Sequence, residues 1–238
     1  MAIKAILFDK DGTLLDFSQT FLPALNHTIT RLAGDDRVLR DRLSRLLMVD
    51  LENNAIAPHS PAVAESLEGI ARVLAPTLGR KDIAALADEL DVLALEGTEQ
   101  SVTAFSYVHQ TLEALRSDGF TLGVATNDSE QAAHQHLNTT GISHFVDFVA
   151  GYDSGHGAKP GPGMVTAFVS HCRLRPDNVM MVGDSIHDLM AGRAANVVSV
   201  GVICGTVGAD VLAPYADFIL PDISQLPALL KLLPSAAP

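Results

Sequence analysis

The sequence predicts an α/β protein in which a doubly wound parallel sheet carries an inserted all-helical domain. From about residue 105 to the C-terminus, short apolar runs alternate with amphipathic helical patterns, which is typical of an open α/β sheet. A similar apolar run lies near the start of the chain, at residues 5–8. The interval from about residue 18 to residue 100 has helical patterns and no convincing strand, so we expect a separate helical unit there.

The expected strands are short runs of apolar residues. They lie at Ala5–Phe8, Thr121–Ala125, Phe145–Ala150, Val179–Val182, Val197–Ile203 and Phe218–Leu220. Each run is continuously apolar instead of alternating with polar residues, as in a parallel sheet that is covered on both faces. Between the later runs, helices are predicted at residues 107–118, 129–140 and 162–173 and after Asp188, and Gly119 is a stop signal for the first of them.

The insert shows three or four amphipathic helices. Asp82 is a candidate N-cap for a helix whose apolar residues recur at helical spacing, and residues 36–51 repeat this pattern. Breaks are expected near Gly34 and around Pro58–Pro61. A polar cluster between helices, formed by Asn53, Asn54, His59 and Ser60, is either a solvated connection or a loop that reaches the substrate.

These patterns predict two domains. Residues 1–16 and 101–238 form the α/β core, and residues 17–100 form the helical domain. The Pro/Ala-rich residues 234–238 are expected to fray.

Composition limits the classes of partner. The chain has 238 residues, 47% of them hydrophobic, and a formal net charge of -12, so we expect neither nucleic acid nor an anionic membrane as partner. Cys172 and Cys204 lack metal-binding spacing and are expected to be reduced thiols. Because the sequence shows no recognisable signal peptide or membrane span, we expect a cytoplasmic protein. We expect it to be a monomer or a homodimer.

Polar residues follow four of the predicted strands. Asp9 and Asp11 come after the first strand, Thr126 and Asn127 after the second, Lys159 after the third, and Asp184 and Asp188 after the fourth. Because the carboxyl ends of the strands in such a sheet meet at one edge, all four groups are expected to converge there.

The chemistry of these groups indicates phosphoryl transfer. Asp9, Asp11 and Asp184 would repel one another unless a hard cation such as Mg²⁺ lay among them. A carboxylate can then attack phosphorus, while Thr126, the backbone of Asn127 and the Lys159 ammonium hold the phosphoryl oxygens. Hydrolysis of a phosphate ester through an aspartyl-phosphate is therefore expected.

In this order, "DKDGT", "ATN", "KP" and "GDSIHD" resemble the four motifs of the haloacid dehalogenase superfamily, in particular its phosphoglycolate-phosphatase-like branch with a helical cap. The motifs span residues 9–188. This resemblance implies a Rossmann-like core, a cap that helps to set substrate choice, and a small phosphorylated metabolite as substrate.

The resemblance also implies roles for individual residues. Asp9 would be the nucleophile, and Asp11 would be the general acid and base, whose backbone carbonyl also ligates Mg²⁺. Thr126 and Lys159 would hold the phosphoryl group. Asp184 would ligate the metal, with Asp188 as a ligand or as a partner of the ligands.

Several alternatives remain open on the sequence alone. Phosphoglycolate is the leading substrate candidate, but a sugar-phosphate mutase of the β-phosphoglucomutase type would have the same core motifs, and a non-catalytic phosphoacceptor or metabolite-binding protein is a further option. Lys10 is assigned a structural or surface role, with an influence on the site's electrostatics as the alternative. The histidines, His134, His136, His156 and His187 among them, are assigned to surface or core.

Overall fold

A computed structural model describes residues 2–233 except 52, 54, 58, 59, 99, 100 and 206. The chain divides into two compact units, one formed by residues 1–16 and 104–238 and the other by residues 17–103. The predicted cluster residues Asn54 and His59 lie outside the described residues.

The described strands and helices are as follows. The strands are β1 (Ala5–Phe8), β2 (Val49–Asp50), β3 (Ala55–Ile56), β4 (Thr121–Ala125), β5 (Phe148–Ala150), β6 (Val179–Gly183), β7 (Val198–Val202) and β8 (Phe218–Leu220). The α-helices are α1 (Phe17–Ala33), α2 (Arg37–Leu46), α3 (Pro61–Ala64), α4 (Leu67–Leu78), α5 (Ile83–Thr98), α6 (Val108–Ser117), α7 (Glu130–Thr139), α8 (Gly163–Cys172), α9 (Ile186–Ala194), α10 (Ala209–Leu212) and α11 (Leu226–Leu232). Short 3₁₀ turns lie at Ser143–Phe145, Pro176–Asn178 and Ile223–Gln225.

The first unit contains a six-stranded parallel sheet with the order β5-β4-β1-β6-β7-β8. Phe8 at the end of β1 pairs with Val124 of β4 and with Val182 of β6. The residues that follow these three strands therefore leave the sheet at neighbouring points on its carboxyl edge. This confirms the predicted α/β fold class.

The centre of the sheet is apolar on both faces. All four residues of β1 are at most 1% exposed. One core cluster packs residues of β1, β4 and β6 against α8 and α9, with Phe168 among its fully buried members. The continuous apolar runs in the sequence reflect this two-sided burial, because no strand residue at the centre faces water.

Two predicted boundaries were wrong. The run at 145–150 forms a strand only from Phe148, because residues 143–145 form a 3₁₀ turn. Helix α9 begins at Ile186, not after Asp188, because Ser185 caps it and the Asp188 side chain accepts a hydrogen bond from the Ser185 backbone N–H.

The second unit is mainly helical. Its core cluster joins buried apolar residues of α1, α2, α4 and α5. The predicted N-cap is confirmed, since Asp82 accepts a hydrogen bond of 3.0 Å from the N–H of Ala85. Gly34 follows the end of α1 with a φ of +56°, as expected of a residue that stops a helix.

The interval predicted to lack strands contains a small hairpin. Strands β2 and β3 pair antiparallel over two residues each, so the helical pattern of 36–51 ends at Leu46. Ser60 caps α3 and donates a hydrogen bond of 2.5 Å to the carbonyl of Leu47. Two-residue strands are too short for hydrophobic periodicity to reveal them.

No helix in the described part of the chain is long and apolar enough to cross a membrane. Cys172 and Cys204 are both free thiols, as predicted.

Candidate active site

The Asp9 carboxylate lies directly after β1 and is paired with a buried lysine. Lys159 Nζ donates a hydrogen bond of 2.5 Å to Asp9 Oδ1. The same ammonium lies 2.6 Å from Asp188 Oδ1 and donates to the carbonyl of Ala125 at 2.8 Å. Since Asp9, Lys159 and Asp188 are all at most 6% exposed, one fixed cation sits between two carboxylates away from solvent.

Asn127 holds the backbone of Lys159. Its Nδ2 donates to the Lys159 carbonyl at 2.9 Å, and its Oδ1 accepts from the Lys159 N–H at 2.8 Å. This two-point contact joins the loop after β4 to the loop that carries Lys159. Asn127 was predicted to contribute through its backbone; its side chain has this separate positioning task.

Three buried carboxylates form a candidate metal centre. One oxygen each of Asp9, Asp184 and Asp188 lies within 4.8 Å of the others. At this spacing three ionised carboxylates repel strongly, and Lys159 supplies a single positive charge. An all-oxygen set with few protein ligands is what Mg²⁺ prefers, so these residues fit that ion.

Gly12 provides the space for one of these carboxylates. It has a φ of +82°, and a Cβ atom there would lie 2.4 Å from Asp184 Oδ2. Both the backbone conformation and the close approach therefore require glycine. This explains the Gly of the "DKDGT" motif in this chain.

Asp188 is fixed at the start of α9. Its Oδ2 accepts hydrogen bonds from the N–H of Ser185 at 3.0 Å and from the Ser185 hydroxyl at 2.7 Å. Its other oxygen faces Lys159. The helix cap thus orients a carboxylate of the candidate metal centre.

The Asp11 carboxylate has a different partner. Lys10 Nζ donates to Asp11 Oδ1 at 2.7 Å, to Asp128 Oδ2 at 3.1 Å and to His136 Nδ1 at 2.9 Å. Lys10 is 0% exposed, which excludes the predicted surface position and leaves the structural or electrostatic alternative. The predicted metal contact through the Asp11 backbone carbonyl stays a prediction.

The charges of this buried group shift several pKa values. Burial lowers the pKa of Lys10, but the carboxylates of Asp11 and Asp128 outweigh it, and the net shift is upward. Burial, together with the positive charge of Lys10, lowers the pKa of His136 to about 3. His136 is therefore neutral and accepts the hydrogen bond at Nδ1, since lysine has only donors.

The same effects act on the aspartates. Burial raises the pKa of Asp9 to about 7 against the opposing effect of Lys159, and Asp188 and Asp11 raise it further. Burial also raises the pKa of Asp11, and Lys10 opposes this shift. For Lys159, burial lowers the pKa, but Asp188 and Asp9 more than compensate and hold it above the usual range. A cation in the site would favour the ionised form of Asp9.

Thr126 is the remaining predicted residue. It is 1% exposed, its N–H donates to the carbonyl of Ala150 at 2.9 Å, and its hydroxyl accepts from the N–H of Asp128 at 3.1 Å. Asp128 then bonds Lys10, so Thr126 and Asp11 belong to one connected hydrogen-bond network.

Sequence reasoning missed three residues of this site, Asp128, His136 and Ser185. It also missed the contacts that Lys10 makes there. Two signals were available. A lysine two residues after the end of a buried strand must find acceptors if it stays inside the protein. Asp128 follows Thr126 and Asn127 at the same strand end.

Comparison with known proteins places the chain in a family. The chain is 29% identical over 225 residues to the pyrophosphatase PpaX of Bacillus velezensis, which covers 94% of each chain. The fold is similar to that of a predicted phosphoglycolate phosphatase from Haemophilus somnus 129pt (TM-score 0.71, 21% identity, 95% of this chain and 97% of that one). It is also similar to a haloacid dehalogenase-like family hydrolase from Streptococcus pneumoniae (TM-score 0.70, 21% identity, 97% of this chain and 99% of that one).

The family model for haloacid dehalogenase-like hydrolases matches residues 6–202, which include every residue of the candidate site. This chain therefore belongs to the haloacid dehalogenase-like hydrolase family.

Proposed function

We propose that this protein is a Mg²⁺-dependent phosphatase that removes a phosphoryl group from a small phosphorylated metabolite through an aspartyl-phosphate on Asp9. The observation that carries this proposal is the buried Lys159 ammonium between Asp9 and Asp188, whose carboxylates cluster with that of Asp184. One nucleophilic carboxylate, a fixed cation and an acidic metal centre are what phosphoryl transfer requires.

We assign a residue to each step of the reaction. A carboxylate oxygen of Asp9 attacks phosphorus, and the bond to the leaving oxygen breaks. Asp11 gives its proton to that oxygen and then takes a proton from the water that attacks the phosphoryl group, which frees Asp9. Lys159 and Thr126 hold the phosphoryl oxygens during both steps.

The metal would be held by Asp9, Asp184 and Asp188, with the backbone carbonyl of Asp11 as a further proposed ligand. When bound, Mg²⁺ offsets the negative charge on the carboxylates and on the phosphoryl oxygens. Because a chelator can remove a bound Mg²⁺ ion, we expect activity to depend on added Mg²⁺ and to be lost when a chelator is present.

Two small anions are candidate substrates. Phosphoglycolate is the candidate from the motif resemblance, and inorganic pyrophosphate is a second candidate because the curated relatives at 24–29% identity include pyrophosphatases named PpaX. Both are small anions with a terminal phosphoryl group. We propose that the helical unit, residues 17–103, contributes to the choice between them.

The test is phosphate release from a metabolite panel with and without Mg²⁺, ranked by kcat/KM. The panel contains phosphoglycolate, pyrophosphate and β-glucose 1-phosphate. Asp9→Asn serves as the matched inactive variant and is expected to lose at least about 10³-fold in kcat while it keeps its fold. Asp118→Asn, at an exposed aspartate, controls for the substitution itself.

The outcomes separate the alternatives. Phosphate release that depends on Mg²⁺ and on Asp9 supports the phosphatase. Conversion of β-glucose 1-phosphate to a second sugar phosphate, without phosphate release, would favour the mutase. Binding of panel members without turnover would favour a non-catalytic protein, and unchanged turnover by Asp9→Asn would contradict the assignment of the nucleophile.

A further inference from the structure

We infer that Lys10 is a positioning residue that holds the Asp11 carboxylate for proton transfer to the leaving group. This inference rests on the proposed function, in which Asp11 is the general acid and base. It concerns the second residue of the "DKDGT" motif, for which the phosphoryl-transfer steps themselves require no particular side chain.

The Lys10 ammonium is held in position by hydrogen bonds to three side chains. Three of its acceptors are Asp11 Oδ1, Asp128 Oδ2 and His136 Nδ1, at 2.7, 3.1 and 2.9 Å. An ammonium group has three hydrogens, so it can donate to each of these acceptors. Hydrogen bonds between a charged donor and carboxylates are the stronger kind.

The acceptors are themselves fixed. His136 lies on α7 and is 2% exposed, and Asp128 accepts a second hydrogen bond from the N–H of Ser129 at 2.9 Å. The Lys10 backbone is also held, because its carbonyl accepts from the N–H groups of Leu14 and Leu15, both at 2.9 Å. The lysine thus connects Asp11 to Asp128 and to the buried side chain of His136.

The complete burial of Lys10 bears on the importance of its contact with Asp11. Placing a lysine in the interior is costly unless charged partners surround it, and Lys10 is 0% exposed. Its hydrogen bond to Asp11, at 2.7 Å, is shorter than those to Asp128 and His136. Holding a general acid within a small range of positions increases the rate of proton transfer, because the reacting atoms then start close to the geometry they need.

The consequence is a dependence on the leaving group. An alkyl alkoxide is a strong base and needs a proton from Asp11 as it leaves, whereas a nitrophenolate leaves with little help. A misplaced Asp11 should therefore slow the first step on an alkyl phosphate more than on an aryl phosphate. The second step, attack of water on the aspartyl-phosphate, is common to both substrates.

The experiment compares wild type and Lys10→Met on p-nitrophenyl phosphate and on a simple alkyl phosphate. For the alkyl phosphate, kcat/KM is expected to fall roughly 10- to 100-fold, which is part of the contribution of a general acid. For the aryl phosphate, kcat/KM is expected to stay near wild type, while kcat and KM fall together because breakdown of the aspartyl-phosphate slows. Lys4→Met, at an exposed lysine just before β1, is the matched control and should behave as wild type.

Further variants keep the test decisive. Lys10→Arg retains the charge and the donors and should restore the aryl-to-alkyl ratio toward wild type. Lys10→Gln, which retains a donor without the charge, should lie between Met and wild type and replaces Met if that variant does not fold, as judged by circular dichroism. An equal loss of kcat/KM on both substrates, or failure of both neutral variants to fold, would assign Lys10 a structural role only and overturn the inference.

The wild-type measurements separate this inference from the proposed function. If wild type releases phosphate from neither of these substrates and from no member of the metabolite panel, the proposed function fails. If wild type hydrolyses both and the Lys10 variants lose activity on both alike, the proposed function stands and the positioning role fails.

Discussion

Each of the two aspartates in "DKDGT" has its own buried lysine. Asp9 pairs with Lys159, and Asp11 pairs with Lys10. Each lysine also contacts a second carboxylate, Asp188 in one case and Asp128 in the other. Buried charges that are paired in this way are restricted in position. The proposed nucleophile, Asp9, and the proposed general acid, Asp11, need this restriction in order to act one after the other on the same substrate.

Gly12 allows a sharp test at the level of one residue. Gly12→Ala should cost about 1 to 2 kcal/mol for the left-handed backbone and should also displace the Asp184 carboxylate, so that Mg²⁺ affinity and kcat fall. The measurements are chemical denaturation, Mg²⁺ titration and steady-state kinetics.

The control for Gly12→Ala is Gly119→Ala. Gly119 has a similar φ of +87°, and a Cβ atom there would meet nothing within 4 Å. It should lose comparable stability and keep wild-type kcat and Mg²⁺ affinity. Equal losses of kcat in the two variants would contradict the role given to the close approach of Gly12 and Asp184.

His136 predicts a dependence of stability on pH. Its pKa is about 3 in the folded protein against 6.5 ordinarily, so the unfolded chain binds a proton in this window and the folded chain does not. The stability that neutral His136 contributes is therefore present above about pH 6.5 and is lost as the pH falls. His136→Asn retains an acceptor near the position of Nδ1 and lacks this titration.

The stability difference between wild type and His136→Asn should shrink by up to about 2 kcal/mol from about pH 7.5 to about pH 5, as measured by urea unfolding. A difference that is constant or grows as the pH falls would show that His136 is not held in its neutral form.

Single residues were predictable from the sequence where their chemistry was tied to a strand end. Asp9 and Asp184 directly follow buried strands and Lys159 lies in the loop after β5, so their convergence followed from the topology of a parallel sheet. The partners of Lys10 were not predictable in this way, because His136 lies on a helix more than a hundred residues further along the chain. Whether His136 contacts Lys10 depends on three-dimensional packing, which leaves no periodic signal in the sequence.

At the level of elements, the junction of β6 and α9 connects fold stability to the candidate metal centre. Ser185→Ala removes the hydroxyl that caps α9 and bonds Asp188, so it should cost about 0.5 to 2 kcal/mol and weaken Mg²⁺ binding. Ser66 is the matched control, since its hydroxyl caps α4 by accepting from the Gly69 N–H. Ser66→Ala should lose similar stability with unchanged Mg²⁺ affinity; weakened Mg²⁺ binding in both variants would contradict this connection.

Elements were predictable where the sequence shows a clear hydrophobic pattern. The observed bounds of β1, β4, β6 and β7 and of α6, α7 and α8 lie within one residue of the predicted ones. The hairpin of β2 and β3 was missed because each strand has two residues. The early start of α9 was missed because a capping box, and not periodicity, determines it.

At the scale of the whole molecule, the chemistry and the insert occupy different parts of the chain. All seven predicted site residues belong to the unit formed by residues 1–16 and 104–238. The insert therefore supplies none of these seven groups. This separation supports the proposal that residues 17–103 contribute to substrate choice while the core determines the reaction.

The most direct test of the central claim is chemical trapping of the phosphorylated protein. Wild type is mixed with a phosphorylated substrate and Mg²⁺, quenched in acid during turnover, and reduced with borohydride, which converts an aspartyl-phosphate to homoserine. Peptide mapping should then find homoserine at position 9 in wild type and none in Asp9→Asn. Turnover by wild type with homoserine at another aspartate, or with none trapped at any quench time, would contradict the assignment of Asp9 as the nucleophile.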